Sequence, residues 1–131
     1  RPWQHDLEPL YGDLLLGKAL YGDPSSFSGA WNFGPEPKGI KRVEEVVETA
    51  IRILGKGNYH IKNAQDAPRE ANLLRLDIAK SAEILQWEPL LDTDQAIEWT
   101  LAWYNAYVEG VIDIREYSVQ SIHAYFNLLI K

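Results

Sequence analysis

The sequence predicts a mostly α-helical chain with a few short strands, belonging to a larger α/β fold. Three observations predict it. Apolar residues recur at helical spacing over five stretches of the chain. The extended runs between them are too few and too short to build an independent sheet, so their partners are expected outside the chain. Methionine is absent even from position 1, and Arg1-Pro2-Trp3 reads as a cut edge inside a longer reading frame or after a processing step.

The elements follow in order. Leu7, Leu10, Tyr11, Leu14 and Tyr21 recur at helical intervals behind Asp6, a candidate N-cap, which predicts a helix over 6–21 with Pro9 tolerated in its first turn. Residues 22–26 have turn composition. Residues 29–33, closed by Gly34-Pro35, form a strand-prone run. Val43, Val46, Val47, Ala50, Ile51 and Leu54 make one apolar stripe, with Gly55 placed to end the helix. Residues 58–63 and 73–76 read as two more short strands around a loop. Asp77 then caps a short helix that ends before Trp87-Glu88-Pro89, because the residue before proline avoids helical geometry. Asp92 and Gln95 have capping-box spacing and open a long aromatic helix that closes at Gly110. A last helix is expected from Ser118, carrying Ile122, Tyr125, Phe126 and Leu129 on one face.

Composition narrows the function. The 131 residues suffice for one core without disulfides, and no cysteine is present to make a disulfide or a thiolate metal site, in keeping with a cytoplasmic protein. No stretch approaches the ~18 apolar residues that span a bilayer. With a net charge of -6 and thirteen scattered Lys and Arg, the chain is expected to bind no nucleic acid. No glycine-rich phosphate loop follows a strand, and His5, His60 and His123 have no ligand spacing, so neither a cofactor site nor a metal site is expected within the chain. Glu44, Glu45 and Glu48 read as the solvated side of a helix.

Three polar, aromatic segments have the make-up of a ligand site. Arg1 offers a guanidinium suited to a phosphate, and Trp3 an indole suited to stacking on a base; equally, Trp3 suits a core and Arg1 a frayed terminus. Asn32, between Trp31 and Phe33, can bind a ligand or satisfy a turn, its commoner role. Arg69, in the loop 66–72, can meet a second phosphate, although surface pairing with Glu70 is the commoner arrangement.

Taken together, RPWQHDLEPLYGDLLL, GAWNFGP, PREANLLRLD and AKSAEILQWEPLLDTDQAIEWTLAWYNAY resemble the C-terminal part of the CDP-glucose 4,6-dehydratases, within the extended short-chain dehydrogenase/reductase family. The closing REYSVQSIHAYF is similar to that subfamily's tail. The resemblance implies that residues 1–35 complete a cofactor-binding α/β domain and residues 36–131 form a sugar-nucleotide-binding domain. It assigns Arg1 to the diphosphate and Asn32 to the nucleotide side of one pocket, with Trp3 beside the base or sugar. Arg69 follows the loop's proline where many relatives carry arginine before it, and Gln86 stands where they carry glycine; a left-handed helix end there would strain the backbone. The implied reaction oxidises the sugar at C4 with tightly held NAD, eliminates water across C5 and C6, and returns the hydride to C6. The glycine loop, the Tyr-x-x-x-Lys pair and the acid/base residues lie upstream, so the chain alone is expected to hold no catalytic residue. Expected partners are CDP-glucose or a related sugar nucleotide, the N-terminal cofactor domain, and further copies of the enzyme. The alternatives are another sugar-nucleotide dehydratase or epimerase, or a non-catalytic helical interaction domain.

Overall fold

The computed structural model describes residues 1–61, 75–110 and 112–130. Within them lie helices α1 (Leu7–Gly22), α2 (Pro24–Phe27), α3 (Val43–Leu54), α4 (Ala79–Leu85), α5 (Thr93–Glu109) and α6 (Ile114–Asn127), with 3-10 turns at Pro37–Gly39 and Leu128–Ile130. α1 packs on α2 and α4, α5 lies between α3 and α6, and the segment after α4 threads the centre.

Local chemistry sets most helix ends. Gly55 and Gly110 end α3 and α5 in left-handed geometry, at φ 66° and 61°, where glycine carries no Cβ penalty. At the start of α5 the capping box is complete: Asp92 accepts from the Gln95 N–H, and the Gln95 side chain accepts from the Asp92 N–H, both at 2.9 Å. Asp77 accepts from the Ala79 N–H at 2.9 Å and opens α4. α4 closes on Gln86 at φ 53°, the left-handed non-glycine backbone among the described residues. That cost is accepted at the turn that delivers Trp87, fully buried, into the core. A buried indole of this kind contributes roughly 3–5 kcal/mol over an alanine.

Several expectations are corrected. Residues 29–33, 58–61 and 75–76 form no strand; the β feature among the described residues is a single antiparallel bridge between Pro2 and Ile40. An extended run becomes a strand only when a neighbour takes its backbone groups. In 30–33 side chains take them instead: Lys80 donates to the Ala30 carbonyl, Ser81 to that of Asn32 and Gln4 to that of Phe33. The other parts of 58–63 and 73–76 lie outside the described residues. Asp6 occupies the N-cap of α1 without a side-chain bond, and His5 Nδ1 accepts from the Leu7 N–H at 3.2 Å in its stead. The 22–26 turn runs into α2, because Asp23 accepts from the N–H groups of Ser25 and Ser26 and Pro24 suits the first helical position. Ser118 does not start α6; Asp113 does, accepting from Arg115 and Glu116, while Ser118 sits inside the helix and donates to Ile114.

Candidate functional site

Arg1, Trp3 and Asn32, singled out from sequence, occupy two adjoining surface patches. In the first, residues 1–5 lie against 40–41. Pro2 bridges to Ile40, the Lys41 N–H donates to the Arg1 carbonyl, and the Trp3 indole N–H donates to the Lys41 carbonyl at 3.0 Å. Trp3 is half-buried and its polar handle is already used, so only its ring remains for stacking. Arg1 is exposed at the outer end of this segment.

The second patch is built on residues 30–33 and the start of α4. The Asn32 side chain is exposed and its Nδ2 donates to the Asp77 carbonyl at 3.0 Å. A carbonyl only accepts, so the amide nitrogen must face Asp77 and Oδ1 points away. Lys80 Nζ lies 3.9 Å over the Trp31 ring while bonded to the Ala30 carbonyl at 2.9 Å. Trp31 stacks on Phe27 and donates its indole N–H to the Phe27 carbonyl.

The patches meet at one bond, from Gln4 Nε2 to the Phe33 carbonyl at 3.0 Å. Gln4 Oε1 is buried with no hydrogen-bond partner among the described residues. Arg1 and Trp3 are thus brought together on Lys41, and Asn32 is joined to them through its neighbour Phe33. Arg69 lies outside the described residues.

Two concavities adjoin the first patch, one taking Lys41 into its wall and the other His5. One, of about 500 Å³, is lined by Lys38, Lys41, Leu91, Thr93 and Asp94; Lys41 Nζ there bonds both Asp94 oxygens at 2.9 Å. The other, of about 760 Å³, opens between the start of α1, α5 and α6, with His5, Trp99, Trp103, Tyr104 and Tyr117 in its wall. His5 meets Trp99 edge to face, and burial lowers its pKa against the opposing pull of Asp6. No group of three or more His, Cys, Asp or Glu among the described residues is placed to hold a metal, and no helix among them is long and apolar enough to cross a membrane.

Sequence reasoning missed Glu8. Its side chain is fully buried, and its carboxylate accepts from the Leu91 N–H at 2.7 Å, the Leu90 N–H at 3.0 Å and the Tyr125 hydroxyl at 2.8 Å. The Trp87 indole donates to the Glu8 carbonyl. One residue therefore ties α1 to the 87–91 segment and to α6. Burial raises the Glu8 pKa, against the lowering effect of its hydrogen bonds to Leu91, Tyr125 and Leu90, and burial followed by the Glu8 contact raises that of Tyr125. The faint signal was Glu8-Pro9 inside a first turn otherwise rich in apolar residues, a position where glutamate is usually solvated.

No known family profile matches the chain. The chain is similar to the CDP-glucose 4,6-dehydratase of Salmonella typhimurium strain LT2, with 34% identity over 110 residues. That alignment takes in 84% of this chain and 31% of the relative, so the chain spans about a third of the length of the curated enzyme it matches.

Proposed function

We propose that the chain is the C-terminal, substrate-binding portion of an NAD-dependent CDP-glucose 4,6-dehydratase, a cytoplasmic lyase of deoxysugar formation. The observation that carries the reading is the alignment with the Salmonella enzyme over 84% of the chain. It is supported by residues 1–5 being held beside residues 30–33 through Gln4 and Phe33.

In this reading residues 1–35 finish the cofactor domain and residues 36–131 form the sugar-nucleotide domain, the two joined by the Pro2–Ile40 bridge and by Glu8. Arg1 offsets diphosphate charge, the Trp3 ring lies beside the base or sugar, and Asn32 meets the nucleotide as a hydrogen-bond acceptor. Arg69, outside the described residues, is the further candidate for the diphosphate. None of these groups moves a proton in the reaction; they grip and orient the substrate.

The described residues do not fit a dinucleotide. NAD binding of this kind needs a strand, a glycine turn and a helix N-terminus in succession, whereas the described glycines sit in helices, at helix ends or in loops without a preceding strand. When bound to the upstream portion, NAD supplies the hydride chemistry. The exposed Leu10, Leu14 and Tyr21 of α1 offer apolar surface to that portion or to another copy.

Calorimetry on the enzyme comprising this chain and its cofactor portion tests the substrate site. Arg1→Ala is expected to weaken CDP-glucose binding by roughly 1.5–3 kcal/mol, the scale of a charge-assisted hydrogen bond, with NAD content unchanged. Equal affinity in the variant and the parent removes Arg1 from the site.

A further inference from the structure

We infer that the first turn of α4 is a clamp that sets the pose of Asn32, with Lys80 and Ser81 as positioning residues for the sugar-nucleotide site. The inference rests on the substrate-binding reading above. Three hydrogen bonds join this turn and Asp77 just before it to residues 30–32: Lys80 Nζ to the Ala30 carbonyl, Ser81 Oγ to the Asn32 carbonyl, and Asn32 Nδ2 to the Asp77 carbonyl. The backbone of Asn32 is therefore held from one side by Ser81, which is fully buried, while its side chain is held by Asp77.

The direction of these bonds fixes what a ligand meets. The Asn32 nitrogen faces Asp77, leaving Oδ1 exposed and without a partner among the described residues. The clamp thus presents an acceptor, matched to a ring N–H, an exocyclic amine or a hydroxyl of a nucleotide. Lys80 adds a second restraint, because its ammonium stands over Trp31 and fixes the residue immediately before Asn32. An exposed asparagine on an unsupported loop would have to be ordered when the ligand binds, and the clamp completes that ordering beforehand. Lys80 and Ser81 need not touch the ligand to do this.

The test is steady-state kinetics of the enzyme comprising this chain and its cofactor portion, with CDP-glucose as the probe and thermal melting in parallel. Lys80→Gln and Ser81→Ala are each expected to raise KM about 3- to 10-fold, with kcat within about two-fold, the signature of lost ground-state positioning. Ser81→Thr, which keeps the hydroxyl donor, and Lys80→Arg, which keeps a long cationic donor, restore KM to near the parent's value. In an Asn32→Ala background neither substitution adds to the loss, because the three residues act as one unit. Lys80 is exposed, so Lys80→Gln decides the matter if Ser81→Ala does not fold. A raised KM in Asn32→Ala with no change in Lys80→Gln or folded Ser81→Ala overturns the clamp and leaves the substrate-binding reading intact. An unchanged KM in Asn32→Ala removes Asn32 from the site and overturns the clamp with it.

Discussion

Two regions of the chain solve the same problem in different ways. Around Glu8, buried polar groups are paired with one another, and the carboxylate joins α1, the 87–91 segment and α6 deep inside the fold. Along residues 30–33, backbone carbonyls at or near the surface are taken by side chains arriving from two directions, Lys80 and Ser81 on one side and Gln4 on the other. The first arrangement is costly to disturb because nothing else can reach the orphaned groups. The second can yield and still be solvated. Stability should therefore concentrate at Glu8, and ligand recognition at Asn32.

The sharpest way to break this contrast is Glu8→Ala, which strands two backbone N–H groups and the Tyr125 hydroxyl. Three buried groups left unpaired at roughly 1–3 kcal/mol each, offset in part by removing the desolvation cost of the buried carboxylate itself, give an expected loss of about 3–5 kcal/mol in urea unfolding. A loss below about 1 kcal/mol would mean that water or neighbours reach the site. Next comes Gly12→Ala. A Cβ there would overlap the Phe33 ring, and overpacking of about 1–3 kcal/mol outweighs the ~1 kcal/mol gained in helix propensity. A net loss of about 1 kcal/mol by the same method is expected, and a gain would show that Phe33 is free to move. Tyr125→Phe removes a single bond to the carboxylate and should cost roughly 1.5 kcal/mol.

Smaller effects sharpen the picture. Gln86→Gly relieves the left-handed backbone at φ 53° and should stabilise the chain by up to about 1 kcal/mol. The pH dependence of Glu8 carries its own sign. Its folded pKa is raised, so its contribution to stability is fully present below its unfolded pKa and is lost as pH rises through the folded one. Unfolding free energies of wild type minus Glu8→Gln should fall with pH across that window, and a flat difference would mean that the hydrogen bonds from Leu91, Tyr125 and Leu90 cancel the effect of burial.

Much of the helical fold was legible because it is written in local chemistry. Gly55, Gly110 and the Asp92/Gln95 box mark helix ends by their own bonds, whatever packs around them. The supposed strands were not legible in the same way. The strand-prone composition of 29–33 identifies an extended chain, but whether neighbours or side chains take its carbonyls depends on residues 4, 80 and 81. Ser118 was misread as a cap because Asp113, four residues before Tyr117, made the stronger one. Glu8 was missed because its partners lie about eighty and more than a hundred residues away in sequence, a separation that no periodicity reveals. Of the candidate site, the residue types were legible and their mounting was not: Trp3 on Lys41 and Asn32 on Asp77 are tertiary facts.

Turnover is the most direct measurement of whether this chain is the substrate-binding part of a dehydratase. Residues 1–131 alone, and the same chain together with its cofactor-binding portion, would be given NAD and CDP-glucose and followed by the absorbance of the keto-sugar product. The expected result is product from the combined protein and none from the chain by itself. Product from the pure chain would contradict the placement of the chemistry upstream, and a folded, NAD-loaded combined protein that leaves CDP-glucose unchanged would contradict the dehydratase reading itself.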